Sequence, residues 1–394
     1  MAHGTVRADE YGQYVTVDVA TSVDALRDRV IDAGARGVRL RVVGQGTWLT
    51  AGRPTRPGET VSVGDLSGIT EYVPGDLTLT ARAGTTLDEI RSATLEHHQW
   101  FALDPHGVDR GTLGATIATA ATGPLSNAFG TPRDLALGVE FIMGTGVVAR
   151  GGGRVVKNVA GFDLTRLMTG SWGTLGIITE ITVRLHGRPV TDESFAVSVD
   201  GPAPAGRVHR LLRRLPFTPY ACEIVNDMLA ATLVGAQGIT SLFRLGGNAE
   251  AVRAQRAALL ELGETREIDA DVWQRLRQSE PEHAAVFRVS GPPSDIERTW
   301  KEVSTITAAC PGTLLHASPS RGVVRCIIPE SDASVRALHR AFSAPSVSKR
   351  IGERLPLTLW PVISAAPADG ISAGIKRTFD PHGLLNSGIL GELA

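Results

Sequence analysis

Apolar residues in the first fifty positions change spacing in a way that predicts a helix followed by a strand. Val23, Leu26, Val30 and Ala33 recur at helical spacing, with Ser22 placed to cap the start and Gly34 to stop it. In GVRLRVVG, Val38, Leu40 and Val42 then alternate with Arg39 and Arg41, the pattern of a half-buried strand. Leu77, Leu79, Ala81 and Ala83 alternate with Thr78, Thr80 and Arg82. A helix is expected from Thr85, with Asp88 placed for a capping box. LALGVEFIMGTGVV reads as a hairpin, and Ile177, Ile181, Val183 and Leu185 share one face of a strand that ends near Gly187 and Pro189.

Beyond that strand the texture changes. A Pro-, Gly- and charge-rich stretch over 188–205 marks a boundary. Ala/Arg/Leu helices are expected around 206–215, 248–262, 293–308 and 332–343. Strands between them are expected at 195–199, 222–226, 240–245, 285–290 and 322–328. The order suggests an α+β domain with helices against an antiparallel sheet. The expected division is 1–190, a smaller cap over 191–360, and a turn-rich tail, 361–394, that returns to the first domain.

Composition narrows the classes. The 394 residues carry a formal net charge of -1, so no basic surface for nucleic acid or anionic lipid is indicated. The first residues have no apolar core like that of a signal peptide. The small-apolar stretch Leu113 to Leu125 contains Gly114, Gly123 and Pro124 and is too short to span a bilayer. A cytoplasmic protein with no direct membrane insertion is expected. The cysteines, Cys222, Cys310 and Cys326, are scattered and cannot form an iron–sulfur site within the chain. If electrons pass onward through clusters, another chain holds them.

Val43-Gly44-Gln45-Gly46-Thr47 follows the second element directly. Glycines there let backbone amides converge on an anion, although a tight turn would use the same residues. A Rossmann fingerprint needs a third glycine and an immediate helix. Here Leu49 occupies the third position, and AGRPTRPG follows with Pro54 and Pro57. No GK[ST] is present for a Walker loop either, so any phosphate sits in a loop. Further on, Gly111, Gly114 and Gly123 alternate with Thr112, Thr116, Thr119 and Thr122. That small-residue segment suits either a ligand wall or close core packing.

Four pieces in order, GQGTWL, DP…GTLGATIA…GP…GTPRDL, GGRVVKNVAGFDLTRLMTGSWGTLGIITE and FDPHGLLNSGIL, carry a resemblance. The chain resembles the vanillyl-alcohol-oxidase, or PCMH-type, FAD-binding flavoproteins, and within them the FAD-binding subunit of bacterial glycolate oxidase. The resemblance is strong over about 36–190, moderate in the tail and weak across 195–360. It implies a two-domain α+β fold: a PCMH-type FAD-binding domain and an antiparallel cap with helices. It implies that Val43, Gly44, Gln45, Gly46, Thr47 and Trp48 hold the FAD pyrophosphate. Thr112, Leu113, Gly114, Ile117, Thr119 and Gly123 would line the cofactor, and Gly176 and Ile178 would close over it. Arg133 and Asp134 match the family's RD pair, either functional or a structural ion pair.

Some relatives attach FAD through a His in the first loop or a Cys further on. Gln45, Thr47 and Trp48 stand in that loop here and no cysteine precedes Cys222, so non-covalent FAD is expected. His106 is the remaining candidate for a bond. The implied reaction is hydride transfer from a carbon bearing a hydroxyl, for a small 2-hydroxy acid substrate. Lys157 and Asn158 match a family KN pair near the flavin, while Phe162 replaces the tyrosine usual there. In the cap, His316 is the base candidate by residue type, Glu223 an alternative, and Arg321 and Arg325 lie nearby. His97 and His98 are adjacent on an expected helix and cannot face one metal, so no metal is expected. The family assembly has a second flavin subunit and an iron–sulfur subunit, which are the expected partners. A stand-alone FAD-dependent alcohol oxidase and a non-catalytic scaffold subunit are the competing readings.

Overall fold

The computed structural model describes residues 6–8, 14–56, 58–153, 162–281, 283–343, 348–363 and 369–391. The chain divides into two units. One comprises Met1–Thr122, Gly130–Arg188 and Ala365–Ala394, the other Gly123–Phe129 and Pro189–Ser364.

In the first unit the helix Val23–Arg36 starts at Ser22, whose side chain accepts from the Ala25 amide, and buries Leu26, Val30 and Ala33. The stop expected at Gly34 falls instead at Gly37. Gly37 takes the left-handed conformation (φ 66) that turns its amide back onto the Ala33 and Gly34 carbonyls. The chain then enters the strand Leu40–Val43, parallel to Glu59–Ser62. The alternation expected there does not hold: Leu40 and Val43 are buried, while Arg41 and Val42 are half-buried. A parallel strand is covered on both faces, which erases a two-residue period.

That strand is the edge of a four-stranded sheet ordered Val6–Ala8, Tyr14–Val19, Glu59–Ser62, Leu40–Val43. A five-stranded antiparallel sheet runs Ile69–Val73, Thr78–Arg82, Ile177–Arg184, Ala136–Ile142, Val148–Gly152. The last two strands are the expected hairpin. Thr78 and Thr80 are buried rather than solvated, and Thr80 Oγ1 meets Thr182 Oγ1 at 2.9 Å across the pairing. The next helix is Leu87–Leu95, with its capping box formed by Thr86 and Glu89 rather than by Thr85 and Asp88. The Thr85 hydroxyl is already bonded to the Gly68 backbone, so the cap moves on by one residue.

The tail helix Gly370–Phe379 is capped by Asp369. Asp380 then accepts the Leu384 and Leu385 amides at 3.0 and 2.9 Å. This turn lays Leu385 beside Leu40 in a parallel bridge, so the tail extends the edge of the four-stranded sheet.

The second unit is built on an eight-stranded antiparallel sheet. Its order is Thr265–Ile268, Thr191–Ser198, Thr240–Gly247, Ala221–Val225, Leu314–Ser318, Val323–Ile328, Ala285–Ser290, Lys349–Arg354. Alternate residues, including Cys222, Ile224, Leu315, Ala317, Val324, Cys326, Phe287 and Val289, form one core. The helices Pro204–Leu212, Ala249–Leu259, Ile296–Thr307 and Asp332–Ser343 contribute to that core, giving the α+β architecture. The opposite face is partly covered by Asp227–Val234 and Val272–Arg277, and it carries a small apolar cluster of Val286 and Ile327 beside its polar residues. Among the described residues no helix is long and apolar enough to cross a membrane.

Candidate functional site

The loop after Leu40–Val43 forms one wall of a cleft in the first unit. Val43, Gly44, Gln45, Gly46, Thr47 and Trp48 all line it. The loop is fixed from several sides. Ser62 Oγ donates to the Gly44 carbonyl at 2.9 Å, and Arg41 Nη2 donates to the Leu49 carbonyl at 3.1 Å. Gly46 sits in left-handed backbone (φ 71). Gly44 lies so close to Thr112 that a Cβ there would stand 2.5 Å from its hydroxyl. Among the described residues the amides of Gly46, Thr47 and Trp48 meet no acceptor. Clustered amides of this kind form a cradle for an anionic group.

The facing wall is the short helix Leu113–Thr119, whose start is capped by the Thr112 hydroxyl. Thr112, Gly114 and Thr119 line the cleft. Leu113 and Ile117 do not: both are fully buried in the core, because an amphipathic turn must send its large side chains inward. Gly114 is pressed on Ala83, and an added Cβ would lie 2.6 Å from the Ala83 Cβ. Gly123 is not a lining residue and belongs to the second unit. Gly176 and Ile178 close another side, with Gly176 packed against the Phe141 ring. Sequence reasoning passed over Arg41, Trp172, Asn386 and Ile389 as lining residues. For Trp172, Asn386 and Ile389 the only signal was membership of the resembling motifs, while Arg41 lies on the strand just before the glycine loop. His106 also lines it. The cavity within the cleft measures about 150 Å³ and is open to solvent.

Arg133 and Asp134 do not form the ion pair considered for them. Asp134 turns back to accept the Thr131 amide at 2.8 Å and hydroxyl at 2.7 Å, capping the turn Pro132–Leu135. The amide bond above all, with the hydroxyl bond, holds the Asp134 carboxyl below its ordinary pKa.

The second unit carries a buried polar cluster on the face of its sheet away from the main core. His316 Nδ1 lies 2.9 Å from Glu223 Oε2, and Ser318 Oγ donates to Glu223 Oε1 at 2.5 Å. Strand pairing explains the grouping: Val225 pairs with His316, so Glu223 falls opposite Ser318 and diagonal to His316 on one face. His316 also pairs directly with Arg325, and Arg325 with Arg288. The two arginines are neutralised between them by Glu353, at 2.5 Å from Arg325 Nη1 and 3.1 Å from Arg288 Nε. Glu280 Oε1 takes a further pair of contacts from Arg325 at 2.7 and 2.6 Å. Burial opposes the Arg325 charge, but the Glu353 and Glu280 carboxylates outweigh it and push the guanidinium pKa further up. Arg321 donates to Ser126 Oγ at 2.7 Å within the same unit. Lys157 and Asn158 lie outside the described residues. Phe162, just beyond them, is 92% exposed.

A family described as "FAD binding domain" matches residues 16–152. The glycolate oxidase subunit GlcE of Escherichia coli is 33% identical over 258 residues, 65% of this chain and 68% of that one. The glycolate oxidase subunit GlcD of Bacillus subtilis is 33% identical over 195 residues, 49% of this chain, so the match spans only 38% of GlcD. Among solved structures, p-cresol methylhydroxylase with substrate bound superposes with a TM-score of 0.72 over 95% of this chain and 88% of that one. At 14% identity, that likeness speaks for the fold alone. The chain belongs to the family of FAD-binding oxidoreductases that includes the glycolate oxidase subunit GlcE.

Proposed function

We propose that this chain is the FAD-binding subunit of a glycolate-oxidase-like complex and that it serves the oxidation of a small 2-hydroxy acid. The observation that carries the reading is the cleft of the first unit. Its amides at Gly46, Thr47 and Trp48 have no acceptor among the described residues, and Gly44 and Gly114 leave no room for a side chain. That donor set and those close approaches fit a diphosphate and a flat ligand. On this reading Val43, Gly44, Gln45, Gly46, Thr47 and Trp48 hold the FAD diphosphate, and Thr112, Gly114, Thr119, Gly176 and Ile178 flank the rest. Bound FAD supplies the hydride acceptor.

In the second unit His316, paired through Nδ1 with Glu223, is the general-base candidate by residue type. Arg325 is held by two carboxylates and is not the clamp for the substrate carboxylate. Non-covalent FAD is supported by the loop composition and by the three cysteines, all buried in the second unit. His106 is the group on which a covalent bond would form. The relatives named as glycolate oxidase subunits support an assembly in which other chains carry electrons onward.

The test is affinity purification of the tagged chain from its own host, followed by dye reduction with glycolate and other 2-hydroxy acids. Co-purification of an iron–sulfur protein, with turnover by the assembly and little by the lone chain, is the expected result. A monodisperse single chain with full turnover on another alcohol would contradict it and favour a stand-alone oxidase.

A further inference from the structure

The turn Gly170–Gly173 lies beside the cleft, and left-handed backbone there is supplied by glycine at Gly170 (φ 82) and Gly173 (φ 66). Between them Trp172 takes the same conformation (φ 54) with a bulky side chain, which is costly and uncommon. Folding alone would be served better by glycine. The indole therefore earns its position in some other way, and its surroundings indicate how. The ring lines the cleft and stacks on Trp48 of the glycine loop, with centroids 6.4 Å apart and planes 14° from parallel. It also crowds Gly52, where an added Cβ would lie 2.9 Å from the indole.

The backbone of Trp172 is pinned at both ends. Its amide donates to the Ala118 carbonyl at 2.8 Å, on the facing helix. Its carbonyl accepts from Asn386 Nδ2 at 2.8 Å, and Asn386 Oδ1 accepts the Val42 amide at 2.7 Å. One tail side chain thus ties the strand that feeds the glycine loop to the turn that carries Trp172. Asn386 is itself left-handed (φ 42).

We propose that Trp172, stacked on Trp48, is a cofactor-retaining residue of the cleft, and that Asn386 is the positioning residue that holds it there. The inference rests on the reading of the cleft as the FAD site. Base–aromatic contacts lose roughly ten- to a hundredfold in affinity when the ring is removed.

The test uses apoprotein titrated with FAD, read by flavin fluorescence, together with melting temperatures of the apo form. Trp172→Gly keeps the turn without strain. It is expected to leave the apo melting temperature unchanged or raised while weakening FAD binding by roughly tenfold or more. Trp172→Phe, which keeps a ring, is expected to stay close to the wild type. Asn386→Ala is expected to weaken binding in the wild-type background and to add little in the Trp172→Gly background, because it acts through the same ring. Wild-type affinity in Trp172→Gly, a lowered apo stability in that variant, or fully additive losses with Asn386→Ala would each overturn the proposal. Failure of the wild-type apoprotein to bind FAD would instead overturn the reading on which it rests.

Discussion

The cleft of the first unit and the polar face of the second are made of different materials. In the first unit the cleft is lined by backbone: amides at Gly46, Thr47 and Trp48 without acceptors among the described residues, and glycines at Gly44, Gly114 and Gly176 with no space for a Cβ. In the second unit the polar face is buried charge: Glu223 on His316 and Ser318, and Glu280 and Glu353 on Arg325. A site of the first kind is harmed by adding atoms. A site of the second kind is harmed by removing a partner.

The largest effect is expected from Glu353→Ala. It leaves Arg325 short of a counter-charge and directly opposite Arg288 in a buried setting. Breaking such a pair costs about 3–5 kcal/mol, read as a lowered urea midpoint. A change below the error of the measurement would mean that water or rearrangement compensates, and the contrast would lose one side.

Gly114→Ala comes next. The added methyl meets Ala83, so a loss of about 1–3 kcal/mol and a lower flavin content are expected from a single carbon. The same substitution at Gly374, in the tail helix with nothing within 4 Å, is expected to raise stability by about 0.5–1 kcal/mol. Equal effects at the two glycines would show that close approach is not what distinguishes the cleft.

The smallest effect concerns pH. Burial pushes the Glu140 carboxyl up, but hydrogen bonds from Thr179 and Arg150 and the charges of Arg150 and Arg82 hold it below its ordinary value. Because the folded pKa is depressed, the stabilisation is complete above the unfolded value of about 4.3 and is lost as pH falls through the lower folded value. Glu140→Gln should therefore flatten the acid limb of the stability profile and leave its slope at neutral pH unchanged. A changed neutral slope with an intact acid limb would contradict the assignment.

Much of this was legible in the sequence wherever the signal is local. Ser22 and the Leu26–Val30–Ala33 stripe specify their helix, and LALGVEFIMGTGVV forms the expected hairpin Ala136–Ile142/Val148–Gly152. The glycine loop excluded a helix-borne phosphate site because prolines follow it. Legibility failed where partners are remote. Leu40–Val43 lost its alternation because it is parallel and covered on both faces. The helix Leu113–Thr119 hides Leu113 and Ile117, although the resemblance implied that both would line the cofactor. Asn386 reaches Val42 across 344 positions, and no local pattern announces such a bond. The tail motif signalled a turn without indicating what the turn holds.

The most direct test of the account is the visible absorption spectrum of the chain purified alone, before and after acid precipitation and after incubation with FAD. A flavin band that leaves with the acid supernatant is the expected result and establishes a dissociable cofactor in the cleft. Colour retained in the pellet would contradict the non-covalent assignment and direct attention to His106. A colourless protein that takes up no added FAD would contradict the central claim that the cleft of the first unit is an FAD site.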